Sequence, residues 1–146
     1  MYKCMLLIFN VSLYGSTMVY EPYKIHTSHK IAHDGSIKQE VSSGRLSMQS
    51  LHEVDKYGNT PLHYAAFYNC KNNVETLLAC GVDINVRNNL LETPLFHAVR
   101  KDNQGVIMCL VSRGAAIHIN NIDGKCLCSI ATKSQMEIME TINLLK

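Results

Sequence analysis

The sequence has little net charge and no block of charge of one sign. Fourteen Lys and Arg stand against twelve Asp and Glu in 146 residues, so the formal net charge at pH 7 is +2. The basic residues are spread along the chain, without a cluster that would suit a phosphate backbone. Apolar residues make up 47% and charged residues 18%, a globular composition. The sequence therefore argues against a nucleic-acid partner and a disordered acidic tail, and predicts one domain.

Long apolar runs are also missing. The strongest candidate is residues 4–9, which follow Lys3 and are interrupted by Asn10. Spanning a membrane takes about 20 largely apolar residues, so we predict no direct membrane insertion in this chain. The short run fits a buried element, an N-terminal extension or a weak signal peptide, and the sequence leaves these three open.

The cysteines and histidines lack the spacing of a metal site. No Cys-x-x-Cys pair occurs, and Cys126 and Cys128 are one residue too close for a zinc knuckle. His26, His29 and His33 have helical spacing, but no further ligand completes the set. We therefore predict no metal, no cofactor and reduced, mostly buried thiols.

Catalytic motifs are equally scarce. The sequence has no Gly-x-Ser-x-Gly, no glycine-rich phosphate loop, no His-Glu-x-x-His and no carboxylate pair repeated at a fixed spacing. His63 lies near Thr60 and Asp55 along the chain, which is too little for a nucleophile arrangement. We predict that the protein is not an enzyme.

The sequence does contain an internal repeat with a period of 33 residues. Residues 60–66 (TPLHYAA) recur as 93–99 (TPLFHAV), and the same offset leads to 126–131 (CLCSIA). Further residues keep this register, namely Ala65, Ala98 and Ala131, and Gly81 and Gly114. The period and the Thr-Pro-Leu-His tetrapeptide resemble the ankyrin-repeat family, which has both as its signature.

The local chemistry of each repeat agrees with this resemblance. Thr60 is a favoured N-cap, Pro61 suits the first helical position, and Gly81 suits the left-handed residue after a helix. A first helix is predicted to about residue 68, a turn at Asn72 and Asn73, and a second helix over about 74–80. Residues 82–86 are predicted to be extended, and the last helix is predicted to open at Ser134.

The resemblance implies an all-α solenoid of about three helix-turn-helix repeats with hairpin finger loops. The predicted repeats are 55–87, 88–120 and 121–146 within an ankyrin region of 51–146. Residues 1–50 are predicted to be an N-terminal extension, with a degenerate preceding repeat or a cap left open.

Three departures from the repeat pattern stand out. Leu91 takes the place of Gly58 and Gly124, and a branched side chain disfavours positive φ, so we predict an altered turn there. Phe96 takes the place of His63, so we predict that the second repeat lacks the hydrogen bonds that this histidine makes. Cys126 and Leu127 replace the Thr-Pro pair, which weakens the start of the third repeat.

The family resemblance also implies roles for individual residues. In ankyrin repeats the histidine of the tetrapeptide bonds the threonine hydroxyl and backbone carbonyls between repeats, and finger loops and inner helices form a concave surface for proteins. The predicted structural residues are Thr60, Pro61, His63, Gly81, Thr93, Pro94 and Gly114. The predicted partner-binding residues are Lys56, Tyr57, Tyr64, Asn89, Leu90, His97, Arg100 and Lys101. Asn88, Phe67 and Tyr68 are further predicted positions on this surface.

A closer resemblance concerns residues 51–63 (LHEVDKYGNTPLH) and 85–89 (NVRNN). They are similar to the opening repeats of ankyrin-type transient receptor potential cation channels. This resemblance implies a cytoplasmic N-terminal piece of a channel, assembled with further repeats or in a channel tetramer. The alternative is a free-standing ankyrin adaptor, of viral or parasite type, that binds a host or regulatory protein.

Overall fold

The computed structural model describes residues 37–43 and 47–145. Within these ranges the chain forms seven α-helices and one 3-10 helix, Gln49–His52, and no β-strand. The α-helices are α1 (Ile37–Ser42), α2 (Pro61–Phe67), α3 (Lys71–Ala79), α4 (Pro94–Arg100), α5 (Gln104–Ser112), α6 (Leu127–Ile130) and α7 (Lys133–Leu144). The predicted all-α class is confirmed. No helix in the described part of the chain is long and apolar enough to cross a membrane.

Six of the seven α-helices form three pairs that stack side by side. We call α2, α4 and α6 the inner helices, and α3, α5 and α7 the outer helices. α2 packs against α4 and α4 against α6, while α3 packs against α5 and α5 against α7. Each pair thus contacts its neighbours in the sequence, which is the arrangement of a solenoid.

Small residues let the inner helices approach each other. Ala65 and Ala98 are fully buried at equivalent positions of α2 and α4, beside the buried Leu62 and Leu95. Ala131, the third member of this series, follows α6 and is half-buried. The outer helices add buried branched residues to the same core, among them Leu77, Ile107 and Leu110.

Helix starts follow the predicted chemistry in the first two repeats. Thr60 and Thr93 have extended backbone at the N-cap, and Pro61 and Pro94 are the first helical residues. α6, which lacks the Thr-Pro pair, has four residues where α2 and α4 have seven. The predicted opening of the last helix at Ser134 is one residue late, because Thr132 is the N-cap of α7.

The turn inside the repeat lies earlier than predicted. Asn69 adopts positive φ (61°) after α2, and Asp102 does the same (56°) after α4. α3 therefore begins at Lys71, and the prediction that Asn72 and Asn73 form the turn is wrong. Both lie in the first turn of α3, and Asn73 is buried. Asn and Asp tolerate the left-handed region, which is why they occupy these two turns.

The segment after α3, residues 82–86, is not extended as predicted. Val86 donates its N–H to the carbonyl of Asp83 (3.3 Å), and the Asp83 carboxylate accepts from Asn85 N–H (2.9 Å). Because these bonds close a turn, residues 82–86 form an irregular loop. A single antiparallel bridge, between Asn120 and Cys126, is the only β-type pairing outside strands in the described ranges.

The cysteines differ from the prediction at one place. Cys126 and Cys128 form a disulfide at the start of α6, so the prediction of reduced thiols is wrong for this pair. Cys80 is free and half-buried, Cys109 is free and buried, and Cys70 is half-buried. Cys126 also serves as N-cap, since its sulfur accepts from Cys128 N–H.

Residues before the first repeat pack against it. α1 lies about one period ahead of α3 and contacts it, with Ile37 fully buried. Leu51, one period ahead of Ile84, is also fully buried. The apolar run at 4–9 and the histidines at 26, 29 and 33 lie outside the described residues.

Candidate functional site

Three equivalent loops precede the inner helices, and we call them the fingers (55–59, 88–92 and 121–125). In each finger the first residue accepts the N–H of the fifth, from Asn59, Glu92 and Lys125 respectively, through its side chain. The same side-chain oxygen accepts a second N–H two residues on. These accepting residues are Asp55, Asn88 and Asn121. They fix the fingers as tight turns.

Adjacent fingers are tied to each other at equivalent points. Asn89 donates its N–H to the carbonyl of Tyr57 (3.0 Å), and one period later Ile122 donates to Leu90 (2.8 Å). The Asn88 amide donates to the Asn59 side chain (2.9 Å), so this predicted surface position takes part in the contact between the fingers. Asn88 is 6% exposed and holds its finger together.

Gly58 is required by this contact between fingers. Its φ is +76°, and a Cβ built there would lie 2.5 Å from the Asn89 side-chain oxygen and 2.8 Å from the Asn89 backbone nitrogen. A side chain would therefore push the first two fingers apart.

Leu91 keeps the turn that glycine forms elsewhere, contrary to the predicted alteration. Its φ is +57°, close to +76° at Gly58 and +73° at Gly124. Its N–H donates to Asn88 (2.9 Å) just as Gly58 donates to Asp55. The network of finger bonds thus imposes a left-handed backbone on a leucine, which stores strain.

The finger tips carry a row of exposed apolar side chains, which we call the fingertip ridge. Its members are Tyr57 (55% exposed), Leu90 (51%), Leu91 (40%) and Ile122 (58%). The bonds between fingers place these side chains on consecutive loops. Apolar residues presented in this way mark interaction sites on soluble proteins.

Beside the first finger lies an open depression of about 250 Å³, which we call the aromatic groove. Its lining comes from the first finger, α2 and its C-cap, and α4, and consists of Tyr57, Asn59, His63, Tyr64, Phe67, Tyr68 and His97. The rings of Tyr64 and Tyr68 stack with centroids 6.4 Å apart, and Phe67 meets Tyr68 edge-on at 5.0 Å. Aromatic rings thus form most of the wall of the groove.

A hydrogen bond fixes Tyr64 in this wall. Its hydroxyl donates to the Asp55 carboxylate (2.6 Å). Burial and this bond raise the pKa of Tyr64. Burial also raises the pKa of Asp55, but hydrogen bonds from Tyr64, Asn59 and Tyr57 outweigh it and leave that pKa below its ordinary value. Asp55 is therefore ionised at neutral pH, with its oxygens occupied by the chain.

His63 lies under the groove and ties the first two repeats together. Its Nδ1 accepts the Thr60 N–H (3.1 Å) and lies 3.0 Å from the Thr60 hydroxyl. Its Nε2 lies 3.0 Å from the carbonyl of Glu92, to which it donates. Burial lowers the pKa of His63 to about 4, so the ring is neutral with its proton on Nε2.

The second repeat has no such tie. Phe96 fills the equivalent place and is fully buried. The hydroxyl of Thr93, also buried, has no hydrogen-bond partner among the residues that the structure describes. The substitution of one ring for the other thus leaves a polar atom unpaired, which costs stability.

Glu92 interacts with two polar side chains of the second repeat, Arg100 and His97. Its buried carboxylate forms an ion pair with Arg100, and its other oxygen lies 3.7 Å from His97 Nε2. Burial lowers the pKa of His97 to about 4. Its side chain is 13% exposed. Of the predicted surface residues, His97 therefore lies mostly inside the fold, and Arg100 is paired with a carboxylate of the same chain.

The other predicted partner-binding residues lie together on one side of the molecule. Tyr57 and Tyr64 line the groove, Asn89 and Leu90 lie at the tip of the second finger, and all but Tyr64 are exposed. Two lysines flank the groove, with Lys56 Nζ 4.6 Å from the Tyr57 ring centroid and Lys101 Nζ 4.4 Å from that of Phe67.

Sequence reasoning missed the bonding role of Asp55, Asn88 and Asn121. Their spacing of 33 residues and their ability to bond backbone two residues on were both readable signals. In the described ranges no group of three or more His, Cys, Asp or Glu is placed to hold a metal ion.

Comparison with known proteins agrees with this geometry. The model of the ankyrin-repeat family matches residues 57–89, which run from the first finger to the second. Residues 57–89 therefore match one ankyrin repeat. Ankyrin repeats serve as protein-protein interaction modules and are generally not catalysts.

The curated relatives are much larger proteins, and the chain spans only a small part of the length of each. Human transient receptor potential cation channel subfamily A member 1 is 39% identical over 84 residues, which cover 57% of this chain and 8% of the channel. BRCA1-associated RING domain protein 1 of Caenorhabditis elegans is 38% identical over 90 residues, covering 61% of the chain and 13% of that protein. Human neurogenic locus notch homolog protein 1 is 40% identical over 67 residues, which cover 45% of this chain and 3% of that protein.

Proposed function

We propose that this chain is a non-enzymatic protein-binding module that holds its partner on the fingertip ridge and the aromatic groove. The observation that carries the proposal is the row of exposed apolar side chains on consecutive fingers, led by Tyr57, Leu90 and Ile122. None of these side chains belongs to the buried cluster or packs against it. Tyrosine is also among the residue types enriched at interface anchors.

Matched substitutions test which side of the molecule binds. Leu90 on the second finger and Met108 on α5 are each about half exposed (51% and 49%), so a glutamate at either site disturbs the fold little. We expect Leu90→Glu to abolish capture of the partner by the immobilised full chain, and Met108→Glu to leave it unchanged. Equal loss with both variants would contradict binding through the fingers.

A photo-crosslinking residue at the same two positions gives a second readout. Placed at Leu90 it should crosslink the captured partner, whereas at Met108 it should not. The same crosslinked species from both positions would indicate nonspecific adhesion and would count against the proposal.

The proposed domain organisation is three repeats, 55–87, 88–120 and 121–146, preceded by a degenerate repeat. Support for the preceding repeat comes from α1, which takes the place of an outer helix one period before α3 and packs against it. The buried Leu51 corresponds in register to Ile84.

We further propose that the chain is a cytoplasmic N-terminal part of an ankyrin-type transient receptor potential channel. Identity of 39% with the human channel over 84 residues supports this origin. The notch and RING-domain relatives are 40% and 38% identical, so the shared repeat consensus alone does not distinguish a channel from a free-standing adaptor. Sequencing the transcript beyond the codon for Lys146 separates the two. Further repeats and six membrane-spanning segments are expected, and a stop codon directly after the repeats would favour the adaptor.

A further inference from the structure

We infer that Cys126 and Cys128 form a redox-exchangeable site, which a thiol reductant opens and which thereby changes the order of the third finger. The pair lies at the start of α6, where Cys126 is half-buried and Cys128 is exposed. Three observations carry the inference: the small ring that the disulfide closes, the exposure of one cysteine, and the place of the pair beside the third finger.

The disulfide closes too small a ring to stabilise the fold much. Its cysteines are two residues apart, and a bond over so short a stretch removes little conformational freedom from the unfolded chain. Other contacts hold the start of α6. Leu127 is fully buried and donates its N–H to the carbonyl of Ile119 (3.0 Å). Ser129 donates its N–H to the carbonyl of Cys126 (2.9 Å). The third repeat should therefore stay folded when the disulfide opens.

Cys128 is the more accessible partner for an incoming thiolate. Two residues after the N-cap, the first two repeats have the fully buried Leu62 and Leu95, whereas Cys128 at this place is exposed. The sulfur of Cys126 accepts the N–H of Cys128 (3.4 Å), and this bond would stabilise a thiolate on Cys126. Attack at Cys128 thus meets an exposed residue and displaces a stabilised leaving group.

The exchange needs two thiols of the reductant. The first, as thiolate, attacks the Cys128 sulfur, the disulfide breaks, and Cys126 leaves as a thiolate that takes up a proton. The second then attacks the reductant's sulfur in the mixed disulfide and releases Cys128, which also takes up a proton. Two electrons and two protons pass to the pair, and the two reductant thiols become a disulfide. The reverse exchange closes the ring again.

The pair lies at the base of the third finger. Asn120 and Cys126, the residues on either side of that finger, form an antiparallel bridge. At its tip the finger is tied to the second finger, since Ile122 donates its N–H to the carbonyl of Leu90 (2.8 Å). Because the disulfide restrains the backbone over residues 126–128, its opening should loosen the finger that carries Ile122.

Alkylation of the full folded chain tests the exchange. Trypsin releases residues 126–133 (CLCSIATK), a peptide that contains both cysteines of the pair and no other cysteine. The chain is incubated in reducing or oxidising glutathione buffer, its free thiols are blocked, and the peptide is analysed by mass spectrometry. We expect two blocked thiols after the reducing buffer and none after the oxidising buffer. A disulfide that persists in both buffers, or thiols that stay free in both, would overturn the inference.

The rate of opening distinguishes an exchangeable site from a structural disulfide. With excess glutathione, the bond in the folded chain should open at a rate within about tenfold of the rate in urea, because Cys128 is exposed. A greater retardation by folding would show that the fold shields the bond, and would overturn the inference. Cys109, which is buried, is the internal control and should be blocked in urea but not in the folded chain.

Two single variants test the assigned point of attack. Cys126→Ser leaves the exposed Cys128, and Cys128→Ser leaves the half-buried Cys126. We expect the first variant to form a mixed disulfide with oxidised glutathione roughly tenfold faster than the second. Equal rates, or the opposite order, would contradict attack at Cys128.

Hydrogen exchange tests the effect on the third finger. Amides of residues 121–131 should exchange roughly two- to tenfold faster in the reduced chain than in the oxidised chain. The equivalent residues of the second repeat, 88–98, should not change. The double variant Cys126→Ser, Cys128→Ser should match the reduced chain, because serine is also a favoured N-cap. Equal exchange in both redox states would overturn the effect on the finger.

The outcomes are separate from those of the proposed function. Failure of the exchange or of its effect on the finger leaves partner binding standing, since Leu90→Glu and Met108→Glu test that surface in one redox state. Circular dichroism of each variant verifies that it is folded.

Discussion

Thr60 and Thr93 occupy the same place in consecutive repeats but differ in what surrounds their hydroxyls. The Thr60 hydroxyl lies 3.0 Å from His63 Nδ1, whereas the Thr93 hydroxyl is buried with no partner among the described residues. We expect Thr60→Val to lower the free energy of unfolding by about 1 kcal/mol, because it removes a buried hydrogen bond. Thr93→Val should leave it unchanged or raise it by up to about 1 kcal/mol, because it removes an unpaired polar atom. Urea unfolding of both variants measures the difference, and equal losses would contradict the account of Phe96 given above.

Leu91 gives a second prediction at the residue scale. A left-handed backbone costs a non-glycine residue about 1–2 kcal/mol. A glycine relieves this strain, but part of the gain is lost because glycine gives the unfolded chain more conformational freedom. Leu91→Gly should therefore raise the free energy of unfolding by about 0.5–1 kcal/mol. Leu91→Ala removes the same exposed side chain while keeping a Cβ, so it should give no such gain. Thermal melts of the two variants decide, and a gain shared by both would show that the backbone is not the cause.

At the scale of elements, the repeats are joined through the ends of their helices. The Asn103 amide, just before α5, donates to the carbonyls of Ala66 (2.8 Å) and Phe67 (3.0 Å) at the end of α2. Gln135 in α7 donates likewise to the carbonyl of Val99 (3.3 Å) and to the Asp102 carboxylate (2.7 Å). Carbonyls at a helix end have no partner within their own helix, so Asn103 and Gln135 satisfy carbonyls of the inner helix of the previous repeat.

Removing one of these connections should destabilise the solenoid. Asn103→Ala leaves two carbonyls at the end of α2 without their donor, and we expect a loss of about 1–2 kcal/mol in the free energy of unfolding. Asn103 makes no side-chain capping bond to its own helix, so the loss reports on contact between repeats. Asn72→Ala, on the exposed side of α3, is the matched control and should change stability by less than about 0.5 kcal/mol. Urea titration measures both, and similar losses would argue against the connection.

For the molecule as a whole, the family resemblance carried by the 33-residue repeat was sufficient to predict an all-α solenoid. The register of that repeat placed Thr60 and Thr93 at helix starts and Ala65 and Ala98 at buried contacts, because each repeat contacts its neighbours through equivalent positions. The turn geometry of the second finger could not be predicted from Leu91 alone. The bonds of Asn88 and Asn89 to neighbouring groups override the preference of a leucine for negative φ.

The groove was predicted only in part, for the same reason. Sequence spacing identified Tyr57 and Tyr64 as surface positions, but it could not show that Asp55 bonds Tyr64 across nine residues. Nor could it show that Arg100 forms an ion pair with Glu92, or that Cys126 and Cys128 form a disulfide. Side-chain pairing depends on rotamers and burial, which a periodic pattern does not contain.

Stability of the whole molecule should depend on pH through the two buried histidines. Burial lowers the pKa of His63 and of His97 to about 4, against an ordinary value of 6.5 in the unfolded chain. Above 6.5 both rings are neutral in either state, and their contribution to stability is complete. As pH falls from 6.5 toward 4, the unfolded chain binds protons that the folded chain excludes, so stability is lost.

The loss by about pH 5 is roughly 2 kcal/mol for one independent histidine, at 1.36 kcal/mol for each pH unit. The His63 and His97 rings lie 5.3 Å apart and interact, so the pair does not lose the simple sum. Urea unfolding at about pH 7 and about pH 5 measures the difference, a window in which the lowered pKa of Asp55 keeps that carboxyl ionised in the folded state. His97→Gln should remove about half of the difference, and the same change at exposed His118 should remove none of it. Equal stability at the two pH values would show that protons reach these rings without unfolding the repeats.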